Sequence, residues 1–336
     1  MSPKHRVVLT DPHQHTFDET MLSDLQDSNA ALEARTCAGE DQLLEFCSTA
    51  DAVLTSAAGL TARVIRSMRH CRIIARIGTG FDNVDYEAAG EAGIPVTNVP
   101  DFCTEEVATH TMALLLAVTR KTCSMDQRVR RGDWRADDLL ASRRLSRLTL
   151  GLVGFGAIGR AVAFRALSFG LKVIYFDPAR KAAPDELPAA RCDDLASLLA
   201  AADIISLHAP LNNHTVGLIG ERQLQAMKRS AVLINTSRGA VVVEKDLVRA
   251  LQAGTIAAAA LDVFDPEPPP SNHPLFSMEN IVLSPHCASH SCEAMDEVRR
   301  RALGEVIRAL RGEPLLHVVN QDALDRGNML ALSRNV

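Results

Sequence analysis

No apolar run in this chain approaches the roughly 18 residues that a membrane-spanning helix needs, so no membrane span is expected. The first residues, Met-Ser-Pro-Lys-His-Arg-Val-Val-Leu-Thr-Asp, set two basic residues before only three apolar ones. That stretch is too short for a signal peptide, and the expected compartment is the cytoplasm. The eight cysteines (37, 47, 71, 103, 123, 192, 287 and 292) form no CxxC pair and no finger spacing, so no metal site is expected. They read as reduced thiols, mostly small apolar filler, because a disulfide framework is unusual in a long, core-rich chain. Excess positive charge is also missing. Lys+Arg number 36 against 41 Asp+Glu, a net charge of −5, which argues against a nucleic-acid footprint. What remains is a globular composition, 47% hydrophobic and 23% charged, which excludes a disordered, collagen-like or coiled-coil chain. At about 150 residues per domain, 336 residues suggest two domains.

Short apolar runs alternate with helical patterns along the first hundred residues. Strands are expected at Arg6–Thr10, Ala52–Thr55, Arg72–Ile77 and Ile94–Val99, with a short helix at Thr61–Met68 capped by Thr61. In Glu105–Arg120, Val107, His110, Thr111, Leu114, Leu115 and Val118 fall at i, i+3, i+4 spacing, with Thr104 as the expected cap. An Arg-rich stretch from Arg128 to Arg147 follows and holds the only tryptophan, Trp134. It reads as a solvated excursion, with an arm packing on a partner subunit as the competing reading. The alternation restarts with strands at Leu148–Val153, Leu171–Phe176, Ile204–His208, Ala231–Asn235, Ile256–Val263 and Ile281–Ser284. Helices are expected at Arg160–Phe169 and Leu195–Ala202, and a long terminal helix at Ser291–Arg311. Such alternation implies βαβ units and a parallel sheet. The two blocks suggest two similarly built domains.

Gly154-Phe155-Gly156-Ala157-Ile158-Gly159 follows one expected strand and opens a helix. A bare GxGxxG is weak evidence, but this context is the one the dinucleotide fingerprint requires. The first glycine permits the tight turn, the second lets backbone approach a pyrophosphate, and the third lets helix pack on strand. The helix N-terminus offers N–H groups and partial positive charge to phosphates. Asp177 closes the next strand, about 20 residues on, where a ribose-binding acid belongs. A carboxylate there accepts from the ribose hydroxyls and repels a 2′-phosphate. NAD is therefore favoured over NADP, although Arg180 and Lys181 lie nearby. The fingerprint lies mid-chain, so the cofactor domain is inserted into the unit built by the first hundred residues.

Three further segments end strands: Asn235-Thr236-Ser237-Arg238-Gly239, Ala260-Leu261-Asp262-Val263-Phe264-Asp265-Pro266-Glu267-Pro268, and Ser284-Pro285-His286-Cys287-Ala288. Together with the mid-chain glycine loop and with Arg76-Ile77-Gly78-Thr79-Gly80-Phe81-Asp82-Asn83-Val84-Asp85, the sequence resembles the D-isomer-specific 2-hydroxyacid dehydrogenase family. The likeness covers about residues 6–320, and its phosphoglycerate dehydrogenase and C-terminal-binding-protein branches are the nearest in pattern. The resemblance implies an α/β fold of two doubly wound parallel-sheet domains. A Rossmann NAD-binding domain, residues 101–287, is inserted into a flavodoxin-like substrate domain, residues 1–100 and 288–336.

The resemblance also implies roles. Oxidising a 2-hydroxy acid requires removing the hydroxyl proton while a hydride leaves C2, and a histidine suits the proton step. His286 resembles the family's acid/base. Glu267 resembles the carboxylate paired with it, which favours imidazolium and fixes the tautomer. Arg238 resembles the residue that holds the substrate carboxylate and polarises the 2-oxo group, work suited to a planar fork of donors. For the cofactor the resemblance adds His208, Ala209, Pro210 and Thr215 beside the adenosine and phosphates. It places Thr236 and Ser237 near the nicotinamide, Asp262 on the carboxamide, and Thr79 reaching the phosphates. Ala57 and Ala58 resemble substrate-loop residues, and Gly78, Thr79 and Gly80 form a glycine-rich nest able to hold a carboxylate. A plain strand-to-helix turn is the competing reading for that nest.

Where the corepressor branch carries a Trp, Cys287-Ala288-Ser289-His290 stands instead. Glu267 stands where formate dehydrogenases have Gln, and Thr79 where phosphite-oxidising relatives have Lys. About 25 residues follow the expected last helix, too few for the regulatory domain of many phosphoglycerate dehydrogenases. The loop Thr55-Ser56-Ala57-Ala58 is uncharged, which favours a small 2-hydroxy or 2-oxo acid, with 3-phosphoglycerate open. The resemblance further implies a homodimer built on helix 105–120 and the arm near Trp134, and hinged closure over the substrate. The alternative function is an NAD(H)-sensing, corepressor-like binding protein. His13-Gln14-His15 is expected at the surface.

Overall fold

Val7, Val8 and Leu9 are almost wholly buried, as are all four residues of Ala52–Thr55. Such runs, apolar on both faces, are what a parallel sheet covered on both sides requires. In the computed structural model, which describes residues 4–13, 15–137, 142–180, 182–184 and 187–333, the chain divides into two compact units. One comprises Met1–Phe102 with Ser291–Val336, the other Cys103–His290. Gln14, Lys181 and residues 138–141 of the Arg-rich stretch lie outside the described residues.

The first unit opens with β1 (His5–Leu9), α1 (Glu19–Gln26), β2 (Ala30–Ala34), α2 (Glu40–Cys47), β3 (Ala52–Thr55), α3 (Ala62–Ser67), β4 (Ile74–Arg76), α4 (Tyr86–Glu91) and β5 (Val96–Thr97). Its strands are parallel in the order β2-β1-β3-β4-β5, the flavodoxin-like order. Thr61 caps α3 as expected.

The second unit runs α5 (Thr104–Arg120), α6 (Thr122–Arg130), β6 (Thr149–Val153), α7 (Ala157–Ser168), β7 (Lys172–Phe176), β8 (Ala189–Arg191), α8 (Leu195–Ala201), β9 (Ile204–Leu207), α9 (Glu221–Ala226), β10 (Val232–Asn235), α10 (Glu244–Ala253), β11 (Ala258–Leu261) and β12 (Ile281–Leu283). Its sheet, order β12-β11-β10-β9-β6-β7-β8, is parallel throughout. Side chains alternate between two cores. Leu150, Leu152 and Ile234 join α5 and α7 on one face, while Val153, Leu207 and Leu233 join α8, α9 and α10 on the other. The chain reverses its direction across the sheet between β6 and β9, so loops after these neighbouring strands flank a crevice where ligands bind in such sheets. Cys103, not Thr104, precedes the first residue of α5, and its side chain makes no cap bond; Thr104 is already helical. The Arg-rich stretch begins as α6, which buries no side chain, and Trp134 is 85% exposed.

The chain then returns to the first unit. Helix α11 (Cys292–Arg311), capped by Ser291, lays Ala294, Val298, Ala302, Leu303, Val306 and Leu310 in the core and packs on β3 and β4. It is not the last helix. Helix α12 (Gln321–Ser333) follows and packs on α4. Among the described side chains, small residues and one amide dock it. A Cβ on Gly90 would lie 2.3 Å from Ala323 Cβ. Buried Asn320 accepts from Val96 N and donates to the Ile94 and Tyr86 carbonyls. His15 is buried, contrary to the expected surface position. All eight cysteines are free thiols, and burial pushes those of Cys47 and Cys71 up to about 12; Cys123 and Cys292 are exposed rather than filler.

Candidate active site

The glycine loop after β6 shows three different constraints. Gly154 has φ +94°, and a Cβ there would meet the His208 carbonyl carbon and oxygen at 2.7 Å, directly across the crevice. A Cβ on Gly159 would lie 2.4 Å from the Gly154 oxygen, which is the close approach of helix to strand. A Cβ on Gly156 would meet nothing within 4 Å. That cradle lies at the N-terminus of α7, where Gly156 provides no side-chain cap for the N–H groups of the first turn, which includes Ala157 and Ile158. Open space facing free donors suits a pyrophosphate. Asp177, at the end of β7, takes Phe155 N on one carboxylate oxygen and Ala179 N on the other, both at 2.8 Å. The ribose-site candidate thus also fixes the glycine loop.

Across the crevice, β9 runs into His208, Ala209 and Pro210. His208 shares a 2.9 Å hydrogen bond between Nε2 and Ser206 Oγ, and burial pushes its imidazole down to about 4, so it is neutral near pH 7. Thr215 Oγ1 donates to the Pro210 carbonyl and accepts from Asn212 N, which closes this loop on itself.

The three catalytic candidates follow the adjacent strands β10, β11 and β12, so parallel pairing brings their loops to one edge of the sheet. After β10, buried Asn235 accepts from Ser237 N and Ser237 Oγ and donates to the Arg238 carbonyl, folding the Thr236-Ser237-Arg238 turn. Arg238 Nη1 donates to the Ser237 carbonyl. A Cβ on Gly239 would lie 1.9 Å from Phe264 O, so glycine lets the Arg238 turn press on the loop that carries Glu267. Glu267 Oε1 accepts from Phe264 N at 2.8 Å, and its Oε2 lies 2.6 Å from His286 Nδ1. With Nδ1 donating to this carboxylate, Nε2 is left for a proton exchanged with a substrate oxygen. Asp262 accepts from Ser284 Oγ, Cys287 N and Ala288 N, and its carbonyl takes His286 N. These bonds hold the loop in which His286 sits at φ +49°.

In the first unit, Ala57 and Ala58 follow β3 and the Gly78-Thr79-Gly80 turn follows β4. Buried Asp11 accepts from Ser56 N at 2.9 Å and Ala58 N at 3.4 Å, while Asn83 donates to the Ser56 and Ala58 carbonyls. Gly78 has φ +151°, and its N–H already bonds the Arg76 carbonyl. Thr79 Oγ1 donates to the Val99 carbonyl at 3.0 Å, and the Thr79 carbonyl accepts from Asn98.

Residues 112–288 match the model of the D-isomer specific 2-hydroxyacid dehydrogenase NAD-binding domain. A glyoxylate reductase of Thermococcus litoralis is 40% identical over 289 residues, 84% of this chain and 87% of that one. The chain belongs to the D-isomer specific 2-hydroxyacid dehydrogenase family. A D-3-phosphoglycerate dehydrogenase of Methanocaldococcus jannaschii is 36% identical over 317 residues, 94% of this chain and 59% of that one. The crystal structure of a glyoxylate reductase from Paecilomyes thermophila superposes with a TM-score of 0.84 at 29% identity, covering 95% of this chain and 99% of that one.

As a member of this family, the protein binds NAD and is an oxidoreductase of 2-hydroxy acids. The corepressor-like reading is not favoured, since these relatives carry the names of enzymes. Small hydroxy and oxo acids are the family's substrates, and among the described residues no helix is long and apolar enough to cross a membrane. Sequence reasoning passed over Asn235, Asp11 and Asn83, which shape the dehydrogenase's loops from beneath. The signal was present for Asn235 and Asn83, since polar residues beside the motifs are candidates for turn-forming side chains.

Proposed function

We propose that this dehydrogenase interconverts a small D-2-hydroxy acid and its 2-oxo acid, of the glyoxylate or hydroxypyruvate type, with His286 as acid/base, Glu267 as its partner and Arg238 as the carboxylate clamp. One observation supports the reading above the others. Glu267 is held at both oxygens, by Phe264 N and His286 Nδ1, so the imidazole has a fixed tautomer and orientation. In reduction, Nε2 gives its proton to the substrate's C2 oxygen. In oxidation it takes that proton back, and Glu267 stabilises the imidazolium. Arg238 carries two parallel donors for the substrate carboxylate and charge to polarise the neighbouring oxo group. When bound, the nicotinamide supplies or accepts the hydride.

On the same reading Gly154, Gly156, Ala157, Ile158 and Gly159 cradle the pyrophosphate, and Asp177 holds the ribose. His208, Ala209, Pro210 and Thr215 wall the crevice, Thr236 and Ser237 lie by the nicotinamide, and Asp262 orients its carboxamide. Ala57, Ala58, Gly78, Thr79 and Gly80 are the substrate-binding candidates of the first unit, so residues 1–100 and 288–336 form the substrate domain and 101–287 the cofactor domain. The uncharged 55–58 loop and the glyoxylate reductase relatives favour an acid without a phosphate. The protein is cytoplasmic and a homodimer. Helix α6 buries no side chain, and Val129, Trp134, Phe164 and Phe169 are exposed apolar surface for a second copy to cover.

The test follows NADH and NADPH oxidation with glyoxylate, hydroxypyruvate, phosphohydroxypyruvate, pyruvate, 2-oxoglutarate and phenylpyruvate. Glyoxylate or hydroxypyruvate should give the highest kcat/KM. His286→Ala and Arg238→Ala should lose roughly 100-fold or more in kcat while remaining folded. Unchanged turnover in both variants would overturn the assignment.

A further inference from the structure

We infer that the His110–Thr111 step of α5 sets the spacing between the Arg238 loop and the His286 loop, and that His110, Thr111 and Ser284 are positioning residues for the reaction. The inference rests on the roles proposed above for Arg238 and His286. It starts from the odd conformation of His286. At φ +49° a histidine sits in the left-handed region, which non-glycine residues occupy only when their surroundings hold them there. Asp262 provides much of that hold, taking Ser284 Oγ at 2.6 Å, Cys287 N at 3.0 Å and Ala288 N at 2.9 Å.

Ser284 has one hydroxyl proton, and Asp262 takes it. The 2.9 Å bond between Ser284 Oγ and His110 Nε2 is therefore donated by His110. Thus α5 is tied to the His286 loop through Ser284, and His110 Nε2 also lies 3.5 Å from Asp262 Oδ1. The next residue does the same for the other loop. Buried Thr111 donates its hydroxyl to the Val107 carbonyl at 2.7 Å. Its 3.0 Å bond with Thr236 Oγ1 is then donated by Thr236, two residues before Arg238. Two consecutive residues of a rigid helix thus hold the proton-transferring loop and the carboxylate-binding loop. α5 packs on β10, β11 and β12, the strands that these loops leave. A site on a helix keeps its geometry better than one on loops alone.

The test compares Ser284→Ala, His110→Ala, their double variant, Thr111→Val, and Ser284→Thr, which restores the hydroxyl. Each single loss should lower kcat about ten-fold, with the KM for NADH within about two-fold. The Ser284→Ala/His110→Ala double variant should lose much less than the product of the two single losses, because both act on the one link to Asp262. Thr111→Val should multiply with Ser284→Ala, because it cuts the other. Ser284→Thr should recover most of the rate. A second readout needs no turnover: the imidazole proton NMR signal of His286, identified by its absence in His286→Ala, should shift in Ser284→Ala and return in Ser284→Thr. Wild-type kcat with an unmoved signal in Ser284→Ala and His110→Ala overturns the inference. So does a rate loss that Ser284→Thr fails to recover. If His286→Ala and Arg238→Ala themselves turn over normally, the proposed reaction fails instead.

Discussion

Gly154 and Gly156 stand two residues apart in one loop, yet the structure assigns their replacements opposite consequences. At Gly154 an alanine is forced into φ +94° and drives its Cβ to 2.7 Å from the His208 backbone. The left-handed conformation costs about 1–2 kcal/mol, and overpacking against backbone adds about 1–3. The sum, roughly 2–5 kcal/mol, corresponds to a fall in Tm of roughly 4–20 °C for a unit of this size. At Gly156 the backbone has φ −73°, which any residue adopts, and the added Cβ meets nothing within 4 Å. Gly156→Ala should leave Tm unchanged or raise it slightly, since alanine narrows the unfolded ensemble by about 0.4–1 kcal/mol. Its cost should appear in binding. A methyl group in the cradle holds the pyrophosphate off the α7 N–H groups and weakens one or two charge-assisted bonds, each worth about 1.5–3 kcal/mol. NADH affinity should drop about ten-fold or more. Thermal unfolding without cofactor and NADH fluorescence titration separate the two effects. Wild-type affinity in Gly156→Ala would refute the placing of the pyrophosphate, and a wild-type Tm in Gly154→Ala would refute the steric argument.

Other outcomes follow from single contacts. Burial lowers His208 from the usual 6.5 to about 4, so the unfolded chain binds its proton first as pH falls. Stability on the order of 3 kcal/mol is present above pH 6.5 and is lost between 6.5 and 4. Urea midpoints across that range should flatten in His208→Gln, and an identical acid slope would count against the assignment. Asn320→Ala strands Val96 N–H and the Ile94 and Tyr86 carbonyls. It should cost about 3 kcal/mol and speed proteolysis near α12; an unchanged digestion pattern would contradict this. Light scattering at micromolar concentration should report a dimer, shifted toward monomer by Trp134→Glu with Phe164→Glu, whereas a monomeric wild type would remove the reading of α6.

The parallel sheets were legible because their strands are short, mostly apolar runs such as Leu150–Val153, and the glycine loop because each glycine meets a different steric demand. The catalytic candidates were legible as an ordered set and silent one at a time. One arginine after Asn-Thr-Ser carries no signal until its loop is seen bent around Asn235. Elements escaped for more than one reason, and α10 escaped although Leu247, Ala250 and Leu251 give it an apolar face. Helix α12 relies on an amide and on small residues facing Gly90, and α1 and α2 are charge-rich helices that bury only two or three side chains each. His15 escaped for the converse reason, since a polar residue in a polar stretch gives no hint of burial.

The return of the chain to its first unit has a consequence for biosynthesis. All five strands of that unit are made before Cys103, but α11, whose apolar face covers β3 and β4, begins only after His290. At about 5–20 residues per second, the intervening stretch takes on the order of 10–40 s to translate. During that interval a finished sheet waits on the ribosome with one apolar face uncovered, while the unit that interrupts it can already close. The nascent chain is therefore most vulnerable to aggregation while its second unit is being made, and a translational stall between Cys103 and Ser291 should release a product whose first half is the insoluble part.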